Sequence, residues 1–291
     1  MIKYFSKAFK ITNQNLILTT PFILFLVLVN AYVAFMGNKT QHSIIFVSFL
    51  VIVFGAFLAG WFFMVQKAIE LDKKEIIVQE EKEKMSFNLI KEFLTGTGEY
   101  FFSFIGFIIL YFILIMLFFV VFYQIGIHFI GKLDLSLPNF MTSLNSIAQM
   151  KDFQASLSSQ TLIKLNEWIF LIASGYVTFL FITMFWPVLI INKTKNTFIA
   201  FFESLKFVFK NFLPCVILFI YVSIINFLTS LIGMLSLVNS IFYFIIVLLN
   251  CYFSVYMVVL VFLYYDRESN KPIEQKIQDN SNCGADSFGQ E

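Results

Sequence analysis

Along this chain, uncharged apolar stretches of about twenty residues or more alternate with shorter stretches in which charges return every few positions. As a helix, roughly twenty apolar residues cross the ~30 Å hydrocarbon core of a bilayer. Six stretches meet that requirement, near 16–35, 44–65, 101–130, 168–191, 213–234 and 241–265. They predict an all-α, polytopic membrane protein whose six transmembrane helices form one membrane domain over residues 1–268.

Just before some of these stretches the pattern changes to the helical period. In "FFESLKFVFKNFLP" (201–214), Phe201, Phe202, Leu205, Val208, Phe209 and Phe212 fall within one arc at 100° per residue, with Glu203, Lys206 and Lys210 opposite. Phe207 alone breaks the pattern. Such a helix lies along the bilayer surface with its apolar face in the headgroup boundary, and Pro214 allows a bend into the next span. The N-terminus repeats the design, with Tyr4, Phe5, Ala8, Phe9 and Ile11 facing away from Lys3, Ser6, Lys7, Lys10, Asn13 and Gln14.

A shift of 196 residues places Phe5 on Phe201, Phe9 on Leu205, Lys10 on Lys206, Asn15 on Asn211 and Leu16 on Phe212. A weaker third copy, 88–101, puts Leu89, Phe93 and Tyr100 at the corresponding positions, with Gly96 and Gly98 loosening the junction. The expected organisation is three units, each an amphipathic interfacial helix followed by a hairpin of two spans. Repeats of this kind occur in transporters and also arise by duplication of a stable hairpin. The long outer loop of 131–167 departs from the scheme; its apolar spacing suggests short helices on the outer surface, with a cap over an opening as the functional alternative.

Composition agrees with lipid as the main solvent: 59% of residues are hydrophobic, 19% aromatic and only 13% charged, against roughly 25% charged in soluble domains. The first apolar run is too long for the core of a secretory signal and is expected to stay as a span. Cys215, Cys251 and Cys283 show neither a disulfide framework nor metal-binding spacing, and are read as packing residues.

Charge adds orientation. Sixteen of the twenty Lys and Arg residues fall at the N-terminus, in 66–99, in 192–211 and in the tail, leaving Lys39, Lys132, Lys151 and Lys164 on the other side. The richer side is cytoplasmic by the positive-inside rule, so the chain is expected in the cytoplasmic membrane with both termini on the cytoplasmic side. Blocks such as "DKKE" and "EEKEK" mix signs and read as a solvated helical extension, or as a dock for a cytoplasmic partner, within 66–99. The formal net charge of +2 gives no reason to expect nucleic-acid binding. Residues 269–291, polar and poor in apolar side chains, read as a mobile cytoplasmic tail.

The span interiors carry no Asp, Glu, Lys or Arg under this assignment, which argues against proton relays, voltage sensing and aspartate-pair proteolysis. The polar groups that remain are mild. Ser223, Asn226 and Ser230 share a helical face and, with Asn250 and Ser254 of the next span, form a possible polar path; hydrogen bonding between helices is the alternative reading. His42 and His128 map to the outer boundary without a carboxylate or thiolate at matched spacing, so no metal site is assigned. No phosphate-binding loop, nucleophile elbow, HExxH or dinucleotide fingerprint occurs, and no catalytic or cofactor-binding residue is assigned.

"FESLKFVFKNF" (202–212) and the exit of the last span, "FLYYDRE" (262–268), resemble bacterial and archaeal six-helix membrane proteins related to the membrane domain beside some glycerophosphodiester phosphodiesterases. The resemblance extends over residues 1–268 and implies a membrane domain without transferring the phosphodiesterase activity or any functional residue. In "YYDR", Asp266 and Arg267 are expected either to pair with Glu203 or Lys206, or to act with Tyr264 and Tyr265 as an interfacial stop. The leading functional expectation is a non-enzymatic integral membrane protein assisting an envelope or membrane process. The alternatives are a permease subunit energised by a separate ATPase and a lipid-handling enzyme. The last requires polar side chains gathered at one depth.

Overall fold

A computed structural model describes residues 2–36, 43–73, 79–132, 153, 157–234 and 240–285, and among these no strand occurs. Nine α-helices follow in order among the described residues: α1 (Ile2–Gln14), α2 (Thr19–Met36), α3 (Ser43–Lys73), α4 (Gln79–Phe129), α5 (Ser159–Thr183), α6 (Trp186–Asn192), α7 (Thr197–Lys210), α8 (Phe212–Met234) and α9 (Ser240–Ala285). Six segments are long and apolar enough to cross a membrane: Leu16–Phe35, Val47–Lys73, Asn88–Phe129, Ser159–Asn192, Phe212–Gly233 and Tyr243–Ser269. The chain is thus an all-helical, multi-pass membrane protein. His42 and residues 133–152 lie outside the described residues, as does most of the outer loop read as short helices. Helix α9 continues to Ala285, so the change of composition at 269 does not coincide with a helix end.

The two short helices that precede spans end alike. Asn15 follows α1 with φ −127° and ψ 52°, and its Nδ2 donates to Ile11 O at 2.9 Å. Asn211 follows α7 with φ −115° and ψ 39°, and its Nδ2 donates to Phe207 O at 3.1 Å. Each chain turn leaves the helical region at an asparagine, whose short amide adds a second donor to a carbonyl that already accepts the asparagine's own backbone N–H. In the third copy Glu99 occupies the aligned position, and α4 runs through it without a break. At 51 residues, α4 is about 76 Å long, more than twice the thickness of the hydrocarbon core.

The glycines of the third copy do not loosen a junction. A Cβ at Gly96 would lie 2.4 Å from Phe63 Cβ, and one at Gly60 would lie 2.6 Å from both Phe93 O and Thr97 Oγ1. Thr97 Oγ1 also donates to Ala56 O at 3.2 Å. Small residues here let α3 and α4 approach closely, which matters because lipid offers helices no hydrophobic reason to associate. Gly98, by contrast, has open space where its Cβ would be. The fourth span is interrupted after Thr183, and α6 starts with Pro187 in its first turn. Proline has no N–H to give the preceding turn, so the helix breaks just ahead of it.

The chain divides into two compact units, Met1–Ile108 with Thr183–Glu291, and Ile109–Ile182. In the larger unit, α1 lies against α9 and α3, while α6 and α7 form a tight pair. Trp61 Nε1 donates to Leu18 O at 2.9 Å and Trp186 Nε1 to Thr197 O at 2.9 Å, so each indole fastens a turn next to a span. In the smaller unit the end of α4 turns at Gly131, whose φ of 91° suits a residue without a Cβ. Trp168 Nε1 donates to Gly131 O at 3.1 Å, and its ring covers Gly126. Phe122 packs on Gly175 within the same unit.

The close α3–α4 crossing makes a direct comparison possible. Gly96→Leu should destabilise the detergent-solubilised protein by about 1–3 kcal/mol, the usual cost of overpacking. Gly98→Leu should leave it within about 0.5 kcal/mol of the parent, since it fills open space. Thermal unfolding of the two variants side by side checks this; equal effects would contradict the crossing.

Candidate functional site

The five residues of the possible polar path differ in exposure. Ser223, Asn226 and Ser230 lie on the exposed side of α8, between Ile224 and Phe227, which are also exposed. Asn250 and Ser254 are half-buried on α9, where Asn250 Nδ2 donates to Ile246 O at 3.0 Å. Helices α8 and α9 meet instead through Tyr221 OH and Tyr256 OH, 3.0 Å apart. Periodicity correctly grouped the first three residues but did not reveal which way their face points.

Sequence patterning overlooked a denser polar and aromatic cluster in the larger unit, where α1, α3, α6, α7 and α9 converge. Its centre is Tyr264, 1% exposed. The ring centroid lies 5.9 Å from Tyr4, 5.8 Å from Phe185 and 6.2 Å from Phe207. Its hydroxyl faces the buried Cys215 thiol, and no neighbour among the described residues reaches it with full hydrogen-bond geometry. Phe207, which breaks the apolar arc of α7, also packs on Tyr265 at 5.0 Å. It occupies the polar side of the helical wheel because that side meets protein.

The rest of α7 follows from this orientation. Thr197, Ala200, Ser204 and Val208 are its buried stripe, while Phe202 and Phe209 are 62% and 68% exposed. Phe202 and Phe209 therefore point outward, and Thr197, Ala200, Ser204 and Val208 make the protein contact. In α1 the equivalent buried stripe is Ala8, Ile11 and Thr12. Phe5 stacks on Tyr221 at 3.9 Å, and Phe9 meets Tyr252 and Tyr256 edge-on. Tyr252 OH donates to Asn13 Oδ1 at 2.6 Å.

Charged pairs surround the cluster. Lys7 Nζ lies 2.7 Å from Asp72, Lys73 Nζ 2.6 Å from Asp266, Lys193 Nζ 2.7 Å from Glu203, and Lys195 Nζ 2.9 Å from Glu99. Tyr4 OH donates to Glu268 at 3.1 Å, with the Arg267 guanidinium 5.4 Å from the Tyr4 ring centre. Asp266 thus pairs with Lys73 and Arg267 lies over Tyr4, in place of the pairing with Glu203 or Lys206 that was one of the two expectations. The end of the last span is tied to α1 and α3. The hydrogen bond from Lys193 is the largest cause holding the Glu203 carboxyl below its ordinary range; burial opposes it, and the positive charges of Lys193 and then Lys206 add smaller lowering effects.

Chemically, this arrangement fastens helices together. Among the described residues no group of three or more His, Cys, Asp and Glu side chains is placed to hold a metal ion. A separate cleft of about 500 Å³ lies in the smaller unit, lined by Phe129, Ile130, Asn166, Glu167, Phe170 and Leu171. Cys215 and Cys251 are buried among apolar side chains. Comparison with family models, curated proteins and solved structures finds no match.

Two measurements test the cluster. Replacing Lys73 with Met and Asp266 with Asn, singly and together, should give a double-mutant coupling of about 1 kcal/mol, because Asp266 is well covered while Lys73 remains partly solvated. A coupling near zero would show that the pair is incidental. For Glu203, the lowered folded-state pKa gives stability that is present above the unfolded value near 4.5 and disappears as pH falls through the folded value. The melting temperature of Glu203→Gln should therefore lie below the parent's at pH 6, with the gap closing below pH 4.5.

Proposed function

We propose that the chain is a non-enzymatic membrane scaffold of the cytoplasmic membrane, assisting an envelope or membrane process through its helix framework and protein partners. The observation that carries this reading is the use made of the charges: those on α1, α3, α6–α7 and α9 pair with one another at helix ends, around an aromatic centre. Groups committed to holding helices together are poorly placed to bind and transform a substrate.

In this proposal the charged cluster lies on the cytoplasmic side with both termini, as the Lys and Arg distribution favours. Helices α1 and α7 form amphipathic elements at that boundary, with Phe198, Phe202 and Phe209 directed into lipid and small residues directed into protein. The likeness to the six-helix membrane domain beside glycerophosphodiester phosphodiesterases belongs to the same proposal, as a common membrane framework without the enzyme activity. The length of α4 favours one alternative. Its segment ahead of Tyr100, with the end of α3, offers a helical dock through which a permease subunit would engage a separate ATPase.

Labelling intact cells tests the orientation. In a Cys283→Ser background, Asn145→Cys should react with a membrane-impermeant maleimide without permeabilisation, and Lys84→Cys only after it. The reverse pattern would overturn the assignment. Mild cross-linking of native membranes, followed by purification, separates the two functional readings: an envelope-associated membrane partner supports the scaffold, and a nucleotide-binding protein held through 66–99 supports the permease subunit.

A further inference from the structure

Five asparagines, three inside helices and two just past a helix end, bond to their own chain. Asn15, Asn30, Asn192, Asn211 and Asn250 each donate from Nδ2 to the carbonyl four residues back, at 2.7–3.1 Å. Asn226 differs. Its carbonyl accepts from Thr229 Oγ1 at 3.0 Å and Ser230 Oγ at 2.8 Å, while its side-chain amide has no hydrogen-bond partner among the described residues and is exposed.

Depth makes this exposure costly. Helix α8 begins at Phe212 and its apolar span ends at Gly233. At 1.5 Å per residue, Asn226 is about 21 Å from the first and about 10 Å from the second, inside the hydrocarbon core. Neither water nor a headgroup reaches that depth, so an amide that makes no bond within its own helix loses its hydrogen bonds there, and a second helix can restore them. Asn30 is also exposed in a span but has its own bond to Leu26 O at 2.7 Å.

The surroundings of Asn226 describe the missing helix. Phe219, Ser223, Asn226, Ser230 and Gly233 recur at alternating spacings of four and three, the seam of a left-handed helix pair. Three of these five are Ser or Gly, and a Cβ at Gly233 would meet nothing within 4 Å, so the seam permits close approach. Phe227 and Leu231, both exposed, flank it. The seam carries no charge and therefore calls for no charged partner.

We propose that this face of α8 is the interface of a parallel homodimer, in which α8 of one copy packs on α8 of a second across a two-fold axis along the membrane normal. Copies inserted with the same topology hold Asn226 at the same depth. The amide is both donor and acceptor, so the two Asn226 side chains complete each other across the axis, as an isologous contact requires. Ser223 and Ser230 lie one turn above and below on the same seam. Three of the five polar residues first read as a path, Ser223, Asn226 and Ser230, thereby lie at the contact between two copies.

The full-length protein, reconstituted in phospholipid vesicles with separate donor- and acceptor-labelled populations, gives the test. Energy transfer should rise with protein density in the membrane. Asn226→Leu, which suits the lipid-facing surface and leaves the monomer's packing alone, should weaken association about 3- to 30-fold, the range expected for an interhelical amide contact. Asn30→Leu should have no effect on association. In a Cys283→Ser background with the buried Cys215 and Cys251 retained, Ser223→Cys should form an intermolecular disulfide on mild oxidation, while Ile217→Cys on the other side of the exposed arc should not. Density-independent transfer, or association unchanged by Asn226→Leu, would overturn the proposal. So would Asn226-dependent association with a different membrane protein while the purified chain remains monomeric.

Discussion

Tyr264 lies where stretches of chain separated by up to about 260 residues close on one another. Its ring meets Tyr4 from the first helix, Phe185 from the break in the fourth span and Phe207 from the helix before the fifth. In lipid these helices gain little from burying apolar surface, because the alternative solvent is equally apolar; close fit and polar contacts must hold them. The cluster supplies both at the end of the last span, with Asp266 and Glu268 in the turn beyond Tyr264 reaching Lys73 and Tyr4.

The placement of the short helices follows from that constraint. Helix α1 presents Ala8, Ile11 and Thr12 to the protein, and α7 presents Ala200, Ser204 and Val208, while Phe198, Phe202 and Phe209 remain outside. An asparagine then redirects each chain into its span. Where the third copy has Glu99, α3 and α4 instead cross through Gly60 and Gly96, and Glu99 serves as the partner of Lys195. Three related beginnings thus give two bent junctions and one continuous helix. The scaffold reading rests on this pattern, since the charged residues are engaged in assembling the framework.

Much of the fold was legible because a bilayer imposes a strong, local signal: six apolar stretches of sufficient length became six candidate spans with boundaries shifted by only a few residues at most ends. The alignment of Asn15 with Asn211 also pointed to a real equivalence in backbone and side-chain geometry. Facing directions were less legible. Periodicity places Phe202, Phe209, Ser223 and Asn226 on particular faces of their own helices, but which face meets protein depends on neighbours distant in sequence. Phe207 was misleading for the same reason: a polar side of a helix can itself be a contact surface. Pro187 carried the signal for the interrupted fourth span, yet a continuous apolar run concealed it. The partners of Asp266 and Arg267 required the three-dimensional convergence of helices that are remote along the chain.

Zero-length carbodiimide cross-linking in native membranes, followed by peptide mass spectrometry, tests the convergence without altering a residue. The reagent joins a lysine to a carboxylate only when the two are in contact. The structure predicts isopeptide bonds between Lys73 and Asp266 and between Lys7 and Asp72, whose groups lie 2.6 and 2.7 Å apart. Recovery of Asp266 joined to Lys206, or of Asp266 and Asp72 extensively activated yet joined to neither expected lysine, would contradict the central cluster.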